Sequence, residues 1–326
     1  MILPYLLRLL CLCFASFFVL NFAAGLLVCI SSKSALRLAA SRTPMRAARL
    51  LLGLRLLPFV LALLLVLELC VPSYLWLEPR ALSERVGLMG GVLGLLGAAT
   101  WLNSLRRTAQ SLFASLCHNR LCRFAGQEAR LPGESSPVVL VENEAPLLAM
   151  SGLFRPRLLI SPSVLQNLSA EELDAALAHE HAHCASRDNL KRLLIQLAPD
   201  IFPFLHPLRT LERTWSQFAE WAADDQATAG DSGRAVSLAA ALVQVARMGR
   251  GPRLPFLSTS LLASDRDLSA RVDRLLETRP VIPAPTAEAQ PALRTAVVLL
   301  VGSMAALLAT PATLAVVHEL LELLLH

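Results

Sequence analysis

Charged residues are scarce in this chain of 326 residues: they make up 17%, whereas hydrophobic residues make up 55%. Ordinary soluble domains carry about 25% charged residues. The mean hydropathy of +0.53 indicates long apolar segments. This composition excludes a disordered chain, a collagen-like chain and a simple cytosolic enzyme. It predicts a membrane protein.

A strong excess of charge is also lacking, and the cysteines do not form a disulfide pattern. The net charge is +5, and most basic residues lie near apolar segments, so we do not expect direct nucleic-acid binding. Four of the seven cysteines fall within apolar runs, where they behave as small apolar residues. Cys117, His118 and Cys122 form a short cluster, but the second pair of ligands that a metal knuckle needs is missing.

Four apolar windows are long enough to cross the hydrocarbon core of a bilayer, which takes about 20 residues. They are Leu9–Ile30, Leu56–Leu77, Val86–Leu105 and Ala296–Val317. The sequence therefore predicts three membrane helices within residues 1–105, and a fourth helix with a short tail within residues 296–326. A cleaved signal peptide is the alternative interpretation of the first window, although its basic flank is only Arg8.

Basic residues beside the windows predict the orientation in the membrane. The connection between the first two windows carries four of them: Lys33, Arg37, Arg42 and Arg46. Further arginines follow the third window. Basic connections stay on the cytoplasmic side. We therefore expect a protein of the inner (cytoplasmic) membrane, with the region after the third window in the cytoplasm and both termini outside.

Residues 106–278 are polar enough to fold outside the bilayer, and a proline-rich segment at 279–295 should link them to the fourth window. Three short runs of β-forming residues, separated by turn residues, predict a small sheet near the start of this region. Helical patterns follow, beginning with Ala170–Ser186, which Ser169 and Glu172 should cap. The predicted fold class is mainly α: multi-pass membrane helices plus a small α+β domain.

The capped helix contains the sequence HEHAH, in which His179, Glu180 and His183 form an H-E-x-x-H motif. Residues four apart lie on one face of a helix, so both histidines can bind the same zinc ion. Glu180 is then placed to take a proton from a water molecule at the metal and to return it to a leaving amine. The motif predicts a zinc-dependent peptidase with one zinc per chain and Glu180 as its catalytic residue.

The third metal ligand should lie downstream, and Glu220 is the best candidate. Glu220 and Asp224 share one helix face within the sequence FAEWAADDQA, whose other residues are largely apolar. This pair suits a glutamate on zinc and an aspartate on the far ring nitrogen of a ligand histidine. A solvated acidic face is the other interpretation, and Glu212 is an alternative third ligand.

Two stretches of the sequence resemble a known family. The run SGLFRPRLLISPSVLQNLSAEELDAALAHEHAHCASRDNL and the later EWAADD are similar to BlaR/MecR-type integral-membrane zinc metallopeptidases. The resemblance implies a zincin-like (gluzincin) metallopeptidase domain, with Asp188 and Asp224 as supporting carboxylates. It also implies that a strand at Leu147, Leu148, Ala149 and Met150 is the edge that pairs with an extended substrate.

The resemblance implies a membrane-embedded endopeptidase that acts in signalling, with a protein substrate such as a winged-helix transcriptional repressor. One feature departs from the antibiotic-sensing members, which carry an external penicillin-binding sensor domain after the last span. Only about nine residues follow Val317 here, so we do not expect that domain. Two alternatives stay open: an HtpX-type peptidase for quality control of membrane proteins, and a catalytically silent zinc-binding sensor or scaffold.

Overall fold

The computed structural model describes residues 5–78, 86–129, 138–142, 146–153, 156–200, 206–249, 258–260, 268–277 and 310–325. Within these ranges the chain is mainly helical and contains one small sheet. Three of the described helices are long and apolar enough to cross a membrane. The predicted fold class, multi-pass membrane helices with a small α+β domain, is confirmed.

The first three apolar windows form long helices. Helix α1 covers Tyr5–Ala40. Helix α2, Pro44–Leu65, begins with a proline, whose missing N–H is not needed in the first turn. It continues through a π-helical turn, Val66–Cys70, into α3 at Val71–Leu77. Helix α4 covers Leu88–Ala125.

Each of these helices extends beyond its apolar window. α4 passes through the predicted domain boundary at residue 106, because its sequence from Leu105 to Ala125 contains neither glycine nor proline. The third membrane helix and the first helix of the domain are therefore one continuous element. The predicted linker at 279–295 and most of the fourth window lie outside the described residues; the last helix, α11, covers Pro311–Leu325.

Glycines allow α1 and α4 to approach closely. A Cβ atom added at Gly97 would overlap the backbone carbonyl of Phe14, and one added at Gly94 would lie 3.0 Å from the backbone oxygen of Cys11. Gly91, on another face of α4, has nothing within 4 Å of the same position. Small residues at such crossings let membrane helices pack through backbone contact. Gly94 and Gly97 therefore set the distance between the two helices.

Five short strands form one sheet in the order β1-β2-β4-β3-β5. They are β1 Gln127–Ala129, β2 Val138–Leu140, β3 Leu148–Ser151, β4 Arg157–Ile160 and β5 Ser258–Ser260. β2 pairs with β4 in parallel, and the other three pairs are antiparallel. The three predicted strands correspond to β2, β3 and β4. β1 and β5 are additional strands of three residues each, too short for a periodic pattern in the sequence.

The helices of the domain follow the sheet in the chain. They are α5 Pro162–Asn167, α6 Ala170–Ser186, α7 Asp188–Leu197, α8 His206–Thr228, α9 Ser232–Arg247 and α10 Leu268–Leu276. The predicted capping box of α6 is present: the Glu172 N–H donates to Ser169 Oγ at 3.3 Å, and the Ser169 N–H donates to Glu172 Oε2 at 2.8 Å. Arg187, with a φ of 55°, ends α6 in the left-handed conformation, so that α7 starts immediately in a new direction.

Two apolar cores hold α6 and α8 in place. One fills the space between the sheet, α6 and α9, with Ile160, Ala176 and Leu242 at its centre. The other joins α8 to the membrane helices, where Leu211 packs among residues such as Leu51 of α2. The helix with the H-E-x-x-H motif thus packs with the sheet and α9, whereas α8 packs against the bundle and, through Ala227, also reaches the core of the domain.

Candidate metal centre

Helix α6 places the two motif histidines side by side inside the domain. His179 and His183 are one turn apart and are 0% and 2% exposed. Their Nε2 atoms lie 3.1 Å apart and face the same point. Two imidazole nitrogens that converge in this way can bind one metal ion together with a third ligand.

Helix α8 supplies that third group. Glu220 Oε2 lies 3.5 Å from His179 Nε2 and 3.4 Å from His183 Nε2. Ligands arranged tetrahedrally at ~2.0–2.2 Å from zinc lie roughly 3.3 Å from one another, so the three spacings fit one ion. Both carboxylate oxygens of Glu220 are buried without a hydrogen-bond partner among the described residues. These three residues could therefore hold a metal ion.

Two further carboxylates hold the outer nitrogens of the histidines. His183 Nδ1 lies 2.7 Å from Asp188 Oδ2, and His179 Nδ1 lies 2.9 Å from Asp224 Oδ1. An N–H donated from Nδ1 to a carboxylate fixes the ring and leaves the Nε2 lone pair for a metal. The structure thus brings Asp188 and Asp224 to the positions that the sequence assigned to supporting carboxylates.

Glu180 lies beside the metal centre, and one of its carboxylate oxygens accepts a hydrogen bond while the other has no hydrogen bond from the described residues. The backbone N–H of Met150, on β3, donates to Glu180 Oε2 at 3.0 Å. Oε1 is buried and has no hydrogen-bond partner in the described part of the chain. Burial raises the pKa of Glu180 to about 7, against the opposite influence of His179 and His183. A carboxylate with a pKa near neutrality can both accept and return a proton.

The charges around the histidines set the protonation of two of the candidate metal ligands. Burial raises the pKa of Glu220, but the charge of His183 and the close contacts with both histidines hold it well below its ordinary value. Burial lowers the pKa of His183, but the Glu220 carboxylate and the hydrogen bond to Asp188 raise it to about 10. An ionised glutamate and a protonated histidine are the forms that a metal ion would meet, and it would displace the proton.

The residues that carry this site match one protein family. A family model described as BlaR1 peptidase M56 matches residues 86–275, more than half of the chain. The chain belongs to the M56 peptidase family. The resemblance to BlaR/MecR-type membrane peptidases is confirmed by this match. A search among curated proteins finds no significant match.

The M56 region contains an arginine that the sequence did not single out as part of the site. Arg271, on α10, donates to Asp224 through Nε at 2.9 Å and through Nη2 at 2.7 Å, and its Nη1 lies 3.4 Å from Glu220 Oε2. It is 4% exposed. The available signal was its position on the apolar face of α10, one residue before Val272, where a buried charge needs a partner.

One predicted role of the β3 residues is wrong. Leu148, Ala149 and Met150 lie in β3, and Leu147 directly precedes it. The strand is not a free edge for a substrate, because it pairs with β4 on one side and with β5 on the other. The partner on the outer side, Ser258–Ser260, comes from more than 100 residues later, so no local pattern indicated it.

The alternative third ligand, Glu212, lies away from the metal centre. It is two turns before Glu220 on α8, and its Oε2 lies 3.9 Å from Arg55 Nε of α2. The cluster near Cys117 does not form a further metal site in the described chain: Cys122 Sγ lies 3.5 Å from His118 Nε2, and the one group of three potential ligands is the centre described above.

Proposed function

We propose that this M56 protein is a zinc-dependent endopeptidase of the inner membrane that cuts a cytoplasmic regulatory protein, such as a winged-helix transcriptional repressor, in signal transduction. The convergence of His179 Nε2, His183 Nε2 and Glu220 Oε2 beside the buried Glu180 carries this proposal. Two imidazole nitrogens and one carboxylate oxygen form a ligand set of catalytic zinc sites, which keep a fourth position open.

His179, His183 and Glu220 would hold one zinc ion per chain. The ion would supply Lewis-acid chemistry, because it polarises a carbonyl and makes a water molecule more acidic. Asp188 and Asp224 keep the two imidazoles in the tautomer that binds through Nε2.

Glu180 moves the proton. As water adds to the scissile carbonyl carbon, one proton passes to Glu180, and it passes on to the leaving amine nitrogen as the C–N bond breaks. The Met150 N–H keeps Oε2 in place, while Oε1 stays available. A pKa of about 7 suits both directions of this transfer.

The contacts of the domain with the bundle support the proposed orientation. α8 packs against the ends of α1 and α2 where the basic connection lies, with Ala39 and Ala47 in the shared core. Tyr5 and Tyr74 pack together at the opposite end of the bundle. Because basic connections stay in the cytoplasm, this arrangement supports a cytoplasmic peptidase domain and an external N-terminus.

The first experiment counts zinc in the purified full-length protein. We expect about one zinc per chain in the parent and a large loss in His183→Ala and in Glu220→Ala. His181→Ala is the matched control, because His181 lies on the exposed side of the same helix. A parent protein that takes up no zinc on reconstitution would contradict the proposal.

The second experiment asks what the zinc-loaded protein cuts. Glu180→Gln should retain zinc but lose cleavage, because the amide cannot accept the proton. A single cut in one regulator is the expected result. Cleavage of many unfolded membrane proteins would favour the quality-control alternative, and a zinc-loaded protein whose cellular effect is unchanged by Glu180→Gln would favour a silent sensor.

A further inference from the structure

The proposed reaction develops negative charge on the scissile carbonyl oxygen, and a hydrogen-bond donor beside the metal stabilises such charge. Tyrosine is not available for this role, because Tyr5 and Tyr74 are the two tyrosines of the chain and both lie in the membrane bundle. His181 points away from the ligand face of α6. His206 starts α8, fourteen residues before Glu220, which is about 21 Å along the helix.

Two arginines, by contrast, reach the metal centre from different helices. Arg271 already donates through Nε and Nη2 to Asp224, so its charge and its orientation are committed to that carboxylate. Arg192, on α7, approaches the other carboxylate oxygen of Glu220, with Nη2 3.9 Å from Oε1. That distance is too long for a hydrogen bond.

Arg192 has donors to offer. Its Nε is buried and has no hydrogen-bond partner among the described residues. Its side chain is 14% exposed, so it lies at the boundary between the buried ligands and solvent. Charge attraction, and no hydrogen bond among the described residues, holds this guanidinium near the metal centre. It can therefore turn toward a substrate oxygen at little cost in free energy. Glu180 lies on α6 and accepts a hydrogen bond from the Met150 N–H of β3, whereas Arg192 lies on α7. The proposed base and the arginine therefore come from different elements.

We propose that Arg192 is a catalytic residue that donates a hydrogen bond to the scissile carbonyl oxygen as this oxygen becomes an oxyanion. The inference rests on the proposed peptidase function. When water adds to the carbonyl carbon, the π electrons of the C=O bond move to oxygen while Glu180 takes the proton of the water. Arg192 stabilises that oxygen and changes no bond itself. When the C–N bond breaks, the C=O bond re-forms and the contact weakens.

The test measures how tightly two peptides bind to the zinc-loaded protein, with its membrane helices, in detergent. The peptides have the same side chains but carry different zinc-binding groups. One is a phosphonamidate, whose tetrahedral anionic oxygens imitate the oxyanion; the other is a thiol, which binds zinc without such an oxygen. The variants are Arg192→Met, Arg192→Lys and, as the matched control, Arg213→Met, an exposed arginine on α8. Zinc content and the dissociation constants are measured for each.

We expect Arg192→Met to weaken phosphonamidate binding by about 100-fold, with zinc content and thiol binding unchanged. Arg192→Lys should lose less phosphonamidate affinity, because lysine keeps the charge. This variant also tests the inference if the methionine variant fails to fold. Equal losses for both peptides, or loss of zinc, would overturn the inference and show that Arg192 acts on Glu220. Unchanged phosphonamidate binding would also overturn it. A parent that binds zinc but neither peptide would overturn the proposed function, and this inference with it.

Discussion

The Arg271–Asp224 pair offers the sharpest test of how the metal centre is held together. Asp224 is 0% exposed and Arg271 is 4% exposed, and two hydrogen bonds of 2.9 and 2.7 Å join them. Replacing Arg271 with methionine leaves the buried Asp224 with His179 as its remaining partner at 2.9 Å. Removing one member of a buried ion pair costs about 3–5 kcal/mol, because the other charge stays desolvated.

This loss should appear in two measurements. For a domain of this size each kcal/mol shifts Tm by about 2–4 °C, so Arg271→Met should lower the unfolding midpoint by roughly 10 °C. Zinc affinity should fall by about 10–100-fold, since a free Asp224 orients His179 less well. The assays are intrinsic tryptophan fluorescence during heating in detergent, to which Trp215 and Trp221 of α8 contribute, and competition for zinc with a coloured chelator.

A matched control and a double variant make the prediction specific. Arg274 lies on the same helix, over the ring of Trp221, and pairs with Asp225, which is 49% exposed; because methionine keeps an apolar contact with Trp221, Arg274→Met should change stability by less than about 1 kcal/mol. Combining Arg271→Met with Asp224→Leu should restore most of the stability but not the zinc affinity, because the unpaired charge is gone while His179 still lacks its acceptor. If Arg271→Met proved as mild as Arg274→Met, the reasoning about a buried pair would be refuted.

Two further predictions concern other parts of the molecule. Gly97→Val should separate α1 from α4 and lower the unfolding midpoint, because the added side chain meets the carbonyl of Phe14. Gly91→Val places its side chain in open space and should leave the unfolding midpoint unchanged. Equal effects of the two substitutions would contradict the packing argument. At pH 7, zinc binding should release about one proton per ion, because the pKa of His183 in the metal-free site is about 10 and lies above that pH, whereas zinc requires the neutral imidazole. Titration calorimetry in two buffers of different ionisation enthalpy measures this release, and identical heats in both would rule it out.

The parts of the site that depend on one helix could be predicted from the sequence. His179 and His183 share a face through their spacing alone, and the capping box at Ser169 marks where their helix begins. Glu220 and Asp224 were found for the same reason, because two carboxylates one turn apart in an apolar helix need an internal partner.

The parts that join distant segments could not be predicted in this way. Arg271 lies on α10 and meets Asp224 of α8 across 47 residues of chain. β5 takes the outer edge of β3 although its three residues, Ser258–Ser260, carry no strand pattern. Arg192 follows the motif closely in sequence, but its direction toward Glu220 depends on the left-handed residue Arg187, which sets the angle of α7. Such features follow from tertiary packing, which local periodicity does not encode.

The position of Glu220 also depends on the membrane helices. Leu211 and Trp215, nine and five residues before Glu220 on α8, are buried in the core shared with α1 and α2, whereas α6, which carries the histidines, packs in a core with α9 and the sheet. A helix transmits a displacement along its length, because its turns are joined by backbone hydrogen bonds. The distance between Glu220 and the two imidazoles therefore reflects how the bundle sits against the domain. Residues 106–278 alone would lack the bundle surface against which α8 packs, so we expect the chain with its membrane helices, and not the isolated domain, to keep its three donor atoms within reach of one ion.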